Sequence, residues 1–315
     1  MAKLLYAASP QSADMLYATG FQAPDPFLFL EHRGVKTVVL NDLEIDRGRR
    51  QARVDEILPF SELARELGGH PPVGVVAAYM LRRRGVRRVE VPADFPLGMA
   101  RTLEKAGLKV QAVDGHFWPQ REGKTKPEIT EIRRALNIAK AGILRAVEVL
   151  RAAKIGRDGV LRRNGRKLTS EIVRAEADSA VLHAGGVPDG TIVAGGRQAC
   201  DPHERGHGPL RAHALIILDL FPRAARSGFF GDLTRTVVRG RATDEQRRLY
   251  RTVCAAQRLA IRAIKPGVPG ARVHRAVQEY FAARGYPTER RRGRWTGFFH
   301  GTGHGLGLDL HEEPR

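Results

Sequence analysis

Phe299-His300-Gly301-Thr302-Gly303-His304-Gly305-Leu306-Gly307-Leu308-Asp309-Leu310-His311-Glu312-Glu313, close to the last residue, is the stretch from which the rest of the chain can be read. Three of the chain's 11 histidines fall within 12 residues there, interleaved with four glycines. Glycine lets backbone approach backbone closely and tolerates positive φ. Imidazole binds a metal or moves a proton near neutral pH. A loop rich in both forms the wall of a site. The alternative is a turn with solvent-facing histidines, and a second cluster upstream argues against it.

That cluster is Ile216-Ile217-Leu218-Asp219-Leu220-Phe221, followed by Gly228-Phe229-Phe230-Gly231-Asp232-Leu233-Thr234-Arg235-Thr236-Val237-Val238. Asp219 closes an apolar, β-branched run and so leaves a buried strand. Asp232 precedes a second strand-like run. Carboxylates at the ends of core strands are costly to bury unless a cation neutralises them. Two aspartates and a histidine make a mixed oxygen and nitrogen donor set, suited to a divalent ion such as Mn, Co or Zn. Taken alone, the aspartates could instead cap turns or pair with Arg235 or Arg239.

Together the two stretches resemble the metallopeptidase family that includes Xaa-Pro aminopeptidase, prolidase, methionine aminopeptidase and creatinase, with its pita-bread fold. The matching motifs are Asp219…Gly231-Asp232-Leu233-Thr234-Arg235-Thr236 and His300-Gly301-Thr302-Gly303-His304 through His311-Glu312. The resemblance implies two divalent metal ions (Mn, Co or Zn) held by Asp219, Asp232 and His304. It implies catalytic roles for His203 and His311, a substrate-binding role for His300, and support of the second aspartate by Thr234 and Arg235. Proline-containing peptides are the implied substrates, cut at the Xaa-Pro bond, and a homodimer is the implied assembly.

The same family needs two further glutamates downstream, the first in a Glu-Pro-Gly setting. Only Glu312-Glu313-Pro314-Arg315 follows His311, and those glutamates hold a position that binds no metal in relatives. The expectation is therefore a C-terminally truncated or shortened chain whose pita-bread domain lacks its last strands. Metal occupancy and hydrolysis should be impaired. The alternative is an inactive pita-bread module that binds protein or nucleic acid.

A chain of 315 residues exceeds one comfortable core. The expected class is α+β: an N-terminal creatinase/prolidase-like α/β domain over 1–120 and the pita-bread domain over 121–315. The net charge of +19 comes from arginines scattered along the sequence, such as Arg82-Arg83-Arg84, Arg247-Arg248 and Arg290-Arg291-Arg292. No zinc-finger or RNA-binding signature accompanies them, so nucleic acid enters as weak charge-driven binding. No apolar run reaches the roughly 20 residues that span a bilayer. Two cysteines, Cys200 and Cys254, build no disulfide framework, which fits a reduced cytoplasmic setting. Cys200 reads as a packing residue.

Local signals place the elements. Strands are expected at 3–8, 27–30, 37–40, 88–91, 110–113 and 191–194, with Arg33-Gly34 as a hairpin turn. Helices are expected at 12–20, from a Ser61 cap to Leu67, at 73–83 and 96–106, and from Lys126 with Pro127 in its first turn. Apolar positions 129, 132, 136, 139 and 143 mark the buried face of that last helix. Further helices follow Thr169, span 243–264 behind a Thr243/Gln246 capping box, and span 273–284. Pro202 and Gly206 put His203 in a loop.

Overall fold

The computed structural model describes residues 1–314, and the chain forms two compact units, Met1–Gly123 and Lys124 onward. The first is a mixed sheet with helices on both faces. In chain order its elements are β1 (Ala2–Ala7), α1 (Ala13–Thr19), β2 (Phe27–His32), β3 (Val35–Leu40), α2 (Ile45–Gln51), β4 (Glu56–Pro59), α3 (Phe60–Glu66), α4 (Val73–Arg83), β5 (Arg88–Pro92), α5 (Leu97–Lys105) and β6 (Lys109–Val113). The strands lie in the order β4-β3-β2-β1-β5-β6. Alternate residues feed two cores, Leu4, Leu28 and Leu30 on one side and Leu5, Phe27 and Phe29 on the other. Burial on both faces is why these strands read as continuous apolar runs. Arg33 and Gly34, both at positive φ, turn β2 into β3 as a two-residue hairpin requires.

The second unit opens with α6 (Lys126–Ala152), capped by a Thr125/Glu128 box. A small sheet of β7 (Lys154–Ile155), β8 (Leu161–Arg163) and β9 (Arg166–Lys167) follows, then α7 (Ser170–His183). Next come β10 (Gly186–Val187), β11 (Ile192–Gly195), β12 (Leu215–Leu220), β13 (Arg223–Ala224) and β14 (Leu233–Val238). Strands β11, β12 and β14 form an antiparallel sheet under α6 and α7. Helices α8 (Asp244–Ala263) and α9 (Gly270–Ala282) pack through Ala256, Ala260, Val273, Val277 and Phe281. The hairpin β15 (Glu289–Arg291) and β16 (Arg294–Thr296) leads to the histidine stretch. No helix among the described residues is long and apolar enough to cross a membrane.

Several expectations need correction. Ser61 does not cap α3: Pro59 takes the N-cap position, and the Ser61 hydroxyl donates to Asp42 instead. The buried face of α6 is Ala135, Ile138, Ala139, Gly142, Ile143, Ala146, Val149 and Leu150, while Ile129 is exposed. Small residues define that face because the helix approaches its neighbours closely, and a reading weighted to large side chains rotates it. Helix α9 starts three residues before Val273. Cys200 is exposed rather than packed. Helix α2 and strand β4 gave no periodic signal. Only Ile45 of α2 is a buried apolar residue, and β4 is a four-residue edge strand ending in proline.

At Gly142 α6 lies close against β12 and α7. A Cβ there would stand 2.4 Å from Leu220 and 2.8 Å from Val181. Overpacking a filled core typically costs about 1–3 kcal/mol. Gly142→Ala is therefore expected to lower the thermal midpoint by several degrees, read by circular dichroism at 222 nm, although alanine is the better helix former.

Candidate metal centre

The pairing of β12 with β14 sets the first donor. Ile216, Leu218 and Leu220 point into the core beneath α6 and α7. Period-two alternation then turns Asp219 to the opposite face, where it stands directly across from Thr234. The Thr234 hydroxyl donates to Asp219 Oδ1. Thr234 thus supports the first aspartate, not the second, and Arg235 donates to the Thr234 carbonyl. Asp232 enters just ahead of β14. Its neighbour Gly231 lies so close to α6 that a Cβ would meet the Ala135 carbonyl oxygen at 2.2 Å.

Burial pushes the Asp232 carboxyl above its ordinary value of 3.8, and the Asp219 charge beside it pushes the same way. His304 opposes both, its Nε2 standing 3.4 Å from Asp232 Oδ2. His304 Nδ1 lies 2.9 Å from the Gly305 carbonyl. A carbonyl only accepts, so the ring N–H sits on Nδ1 and Nε2 is the atom turned to Asp232. His311 meets His304 edge to face, with ring centroids 4.4 Å apart. Asp219, Asp232, His304 and His311 are therefore brought together from two strand ends and a loop.

Two other histidines stand apart from that group. His300 packs edge to face on Phe298 at 4.5 Å, and its Nδ1 faces the Gly301 carbonyl. The His203 imidazole makes no hydrogen bond, ion pair or ring contact among the described residues. Its loop is nevertheless held. Gly208 N–H donates to Glu171, whose carboxyl is lowered to about 2 by the Thr169 hydroxyl and by that N–H. Arg174 donates to the carbonyls of Arg205 and Gly206.

What holds the histidine stretch was not visible in its spacing. Phe230 N–H donates to the Gly307 carbonyl at 2.8 Å, tying the loop to the segment before Asp232. Gly305 and Glu312 exchange backbone hydrogen bonds of 2.8 and 3.0 Å. The Glu312 side chain, 5% exposed, accepts from Lys124 Nζ at 2.7 Å and from the Asp309 N–H at 3.0 Å. It fills the space a side chain at Gly307 would need, 2.5 Å from a Cβ there. Glu312 is engaged in this clip. Sequence reasoning had no route to its partner, 188 positions away. On α9, His274 Nδ1 lies 2.9 Å from the Thr302 hydroxyl and adds a further tie.

The donor chemistry can be tested against a divalent cation. No lysine or arginine among the described residues pairs with Asp219 or Asp232: the Arg235 side chain serves a carbonyl, and Arg239 donates to the Ala153 carbonyl. Two adjacent carboxylates without a neutralising lysine or arginine have the charge that a divalent cation would balance. The 3.4 Å between Nε2 and Oδ2 is longer than a good N–H···O bond. Among the described residues, no three His, Cys, Asp or Glu side chains stand close enough to hold an ion as placed. The set thus fits as part of a coordination sphere.

Comparison with known proteins agrees with this architecture. Residues 130–315 match metallopeptidase family M24. The chain is 28% identical to the Xaa-Pro dipeptidase of Pyrococcus horikoshii over 73% of its own length and 60% of that protein. It is 28% identical to Xaa-Pro aminopeptidase 1 of Streptomyces coelicolor over 96% of its length and 64% of that relative. The X-Pro aminopeptidase structure from Thermotoga maritima superposes with a TM-score of 0.82 at 21% identity, covering 99% of this chain and 81% of that one. The fold is that of the pita-bread metallopeptidases, and the chain belongs to family M24. It spans about 60% of the length of the Pyrococcus relative.

Removing one partner of a buried ion pair typically costs about 3–5 kcal/mol, because the other charge is left uncompensated. Lys124→Met and Glu312→Gln are each expected to destabilise the second unit by that order in urea unfolding. The double variant should cost less than the sum of the two. Strict additivity would show that the clip carries no coupling.

Proposed function

We propose that this chain is part of a metal-dependent peptidase that cleaves the bond between an N-terminal residue and a following proline. The observation that carries the reading is the meeting of Asp219, Asp232 and His304, two carboxylates and an imidazole without a neutralising lysine or arginine. Asp219, Asp232 and His304 would hold a divalent ion, which supplies Lewis acidity and a nucleophilic water at neutral pH. The relatives named above as Xaa-Pro dipeptidase and Xaa-Pro aminopeptidase support the substrate class.

We assign the remaining histidines the roles that the family resemblance implies. His311, against the ring of His304, can give a proton to the peptide carbonyl oxygen as charge develops on it. His300, held against Phe298, would bind substrate. His203, on a loop pinned to the start of α7, contacts the substrate carbonyl. Three donors by themselves would hold one ion weakly and support slow hydrolysis.

Incubation with a Met-Pro dipeptide and a Met-Pro-Pro tripeptide in Mn2+, Co2+ or Zn2+, with proline or methionine release followed by mass spectrometry, tests the reading. Slow, metal-dependent cleavage confined to the bond before proline is expected, with loss of at least tenfold in Asp232→Asn. Cleavage that persists in Asp232→Asn, or in chelator, would sink it.

Asp232 also makes a pH prediction. Its folded pKa is raised, chiefly by burial and then by Asp219. The stabilising contribution is therefore present below its ordinary value of 3.8 and is lost as pH rises through the folded value. Metal-free protein should lose thermal midpoint over that window, Asp232→Asn should lose less, and Mn2+ should reverse the loss in the parent alone.

A further inference from the structure

One basic feature lies apart from the metal centre. Helix α8 carries five arginines against two acids, Asp244 and Glu245, both in its first turn. Arg247, Arg251, Arg258 and Arg262 follow one another at spacings of four, seven and four, which places them on one stripe of the helix. Arg248 lies beside that stripe, and all five are exposed. The row runs for about 22 Å at 1.5 Å per residue. Where α8 meets the end of α9, Arg247, Arg248, Arg251 and Arg284 line a concavity with Tyr280 and Thr252. The Arg284 guanidinium lies 3.7 Å over the Tyr280 ring. Asp244 is the sole carboxylate in that lining among the described residues.

Some arginines elsewhere are spent on acids. Arg145 and Arg163 share Glu176, Arg83 pairs with Glu66, and Arg121 pairs with Asp14. On α8, Arg247 reaches Asp244 at 3.6 Å and the Ala242 carbonyl. The guanidinium groups of Arg248, Arg251, Arg258, Arg262 and Arg284 make no hydrogen bond or ion pair among the described residues. A straight row of unneutralised guanidinium groups complements a ligand with regularly repeated negative charge. Guanidinium is the side chain that best matches phosphate oxygens.

We propose that this arginine face of α8, with Arg284 of α9, is a docking surface for the phosphodiester backbone of a nucleic acid. Contact is to phosphates alone, so binding is independent of base sequence and steeply dependent on salt. The proposal stands independently of the peptidase reading, because none of these arginines belongs to the metal centre.

Fluorescence anisotropy with a labelled 20-nucleotide single strand and a 20-base-pair duplex, from 50 to 200 mM NaCl, tests it. The triple variant Arg251→Gln, Arg258→Gln, Arg262→Gln is expected to bind the single strand at least tenfold more weakly. Its salt slope should be shallower by about two, at roughly 0.7 per phosphate contact. A control that removes the same charge from the first unit, Arg50→Gln, Arg87→Gln, Arg101→Gln, should weaken binding less than threefold. The matching triple change to lysine should keep the slope, which separates lost charge from lost fold. Equal losses in the two glutamine triples would overturn the proposal by showing diffuse attraction to a basic protein. So would failure of the parent to bind either probe at 50 mM, loss of slope in the lysine variant, or equal binding of polyglutamate of the same length.

Discussion

Two carboxylates forced to be neighbours are the constraint around which the second unit is arranged. Asp219 is turned off the core by strand alternation, and Asp232 is held by the close passage of Gly231 under α6. Neither is paired with a lysine or arginine among the described residues. Water screens such a pair on a surface, but partial burial of Asp232 removes much of that screening, which is why its proton is held more tightly than usual. A fold that places like charges together without compensation keeps a standing electrostatic penalty. A bound cation would remove the penalty, and the imidazole of His304 offsets it only in part.

Holding His304 at the open side of that pair is a separate problem, because glycine-rich loops do not hold their own shape. Here the loop is fixed from outside by Phe230, by the Gly305–Glu312 bridge, and by the ion pair of Lys124 with Glu312. A buried ion pair adds little net stability compared with an apolar pair. It is direction-specific, however, and Glu312 also receives the Asp309 N–H, so the turn between His304 and His311 is set in one arrangement. The glycine at 307 is explained by the same contact, since the carboxylate of Glu312 occupies the space of a side chain there.

Much of this was legible in the chain because the local signals are strong. The Thr243/Gln246 capping box, the Arg33-Gly34 turn and the strand runs ending near Asp219 and starting after Asp232 all state their structure within a few residues. Asp219 and Asp232 stood out as costly residue types at strand ends, whereas His304 and His311 were singled out by the resemblance of the glycine loop to the family motif. Features set by distant contacts were not legible. The face of α6 is decided by how closely alanines and a glycine let it approach β12 and α7. The clip depends on a lysine 188 positions before its partner. Thr234 was linked to the wrong aspartate because cross-strand register, not adjacency in sequence, decides which carboxylate its hydroxyl meets.

The coupling between proton and cation at Asp232 has a consequence for how the site fills. An ion held by Asp232, as proposed above, would compete with the proton that burial and Asp219 favour, so its binding would be weaker at low pH and assisted as pH rises. His304 imposes the opposite demand on geometry. Its Nδ1 is committed to the Gly305 carbonyl, so Nε2 can reach a cation only while the loop keeps that bond. Affinity thus depends on two terms of different origin, the ionisation of a strand-end carboxylate and the rigidity of a loop clipped by Lys124 and Glu312. If Asp219, Asp232 and His304 hold the ion proposed above, weakening the clip would lower its affinity without touching those three side chains.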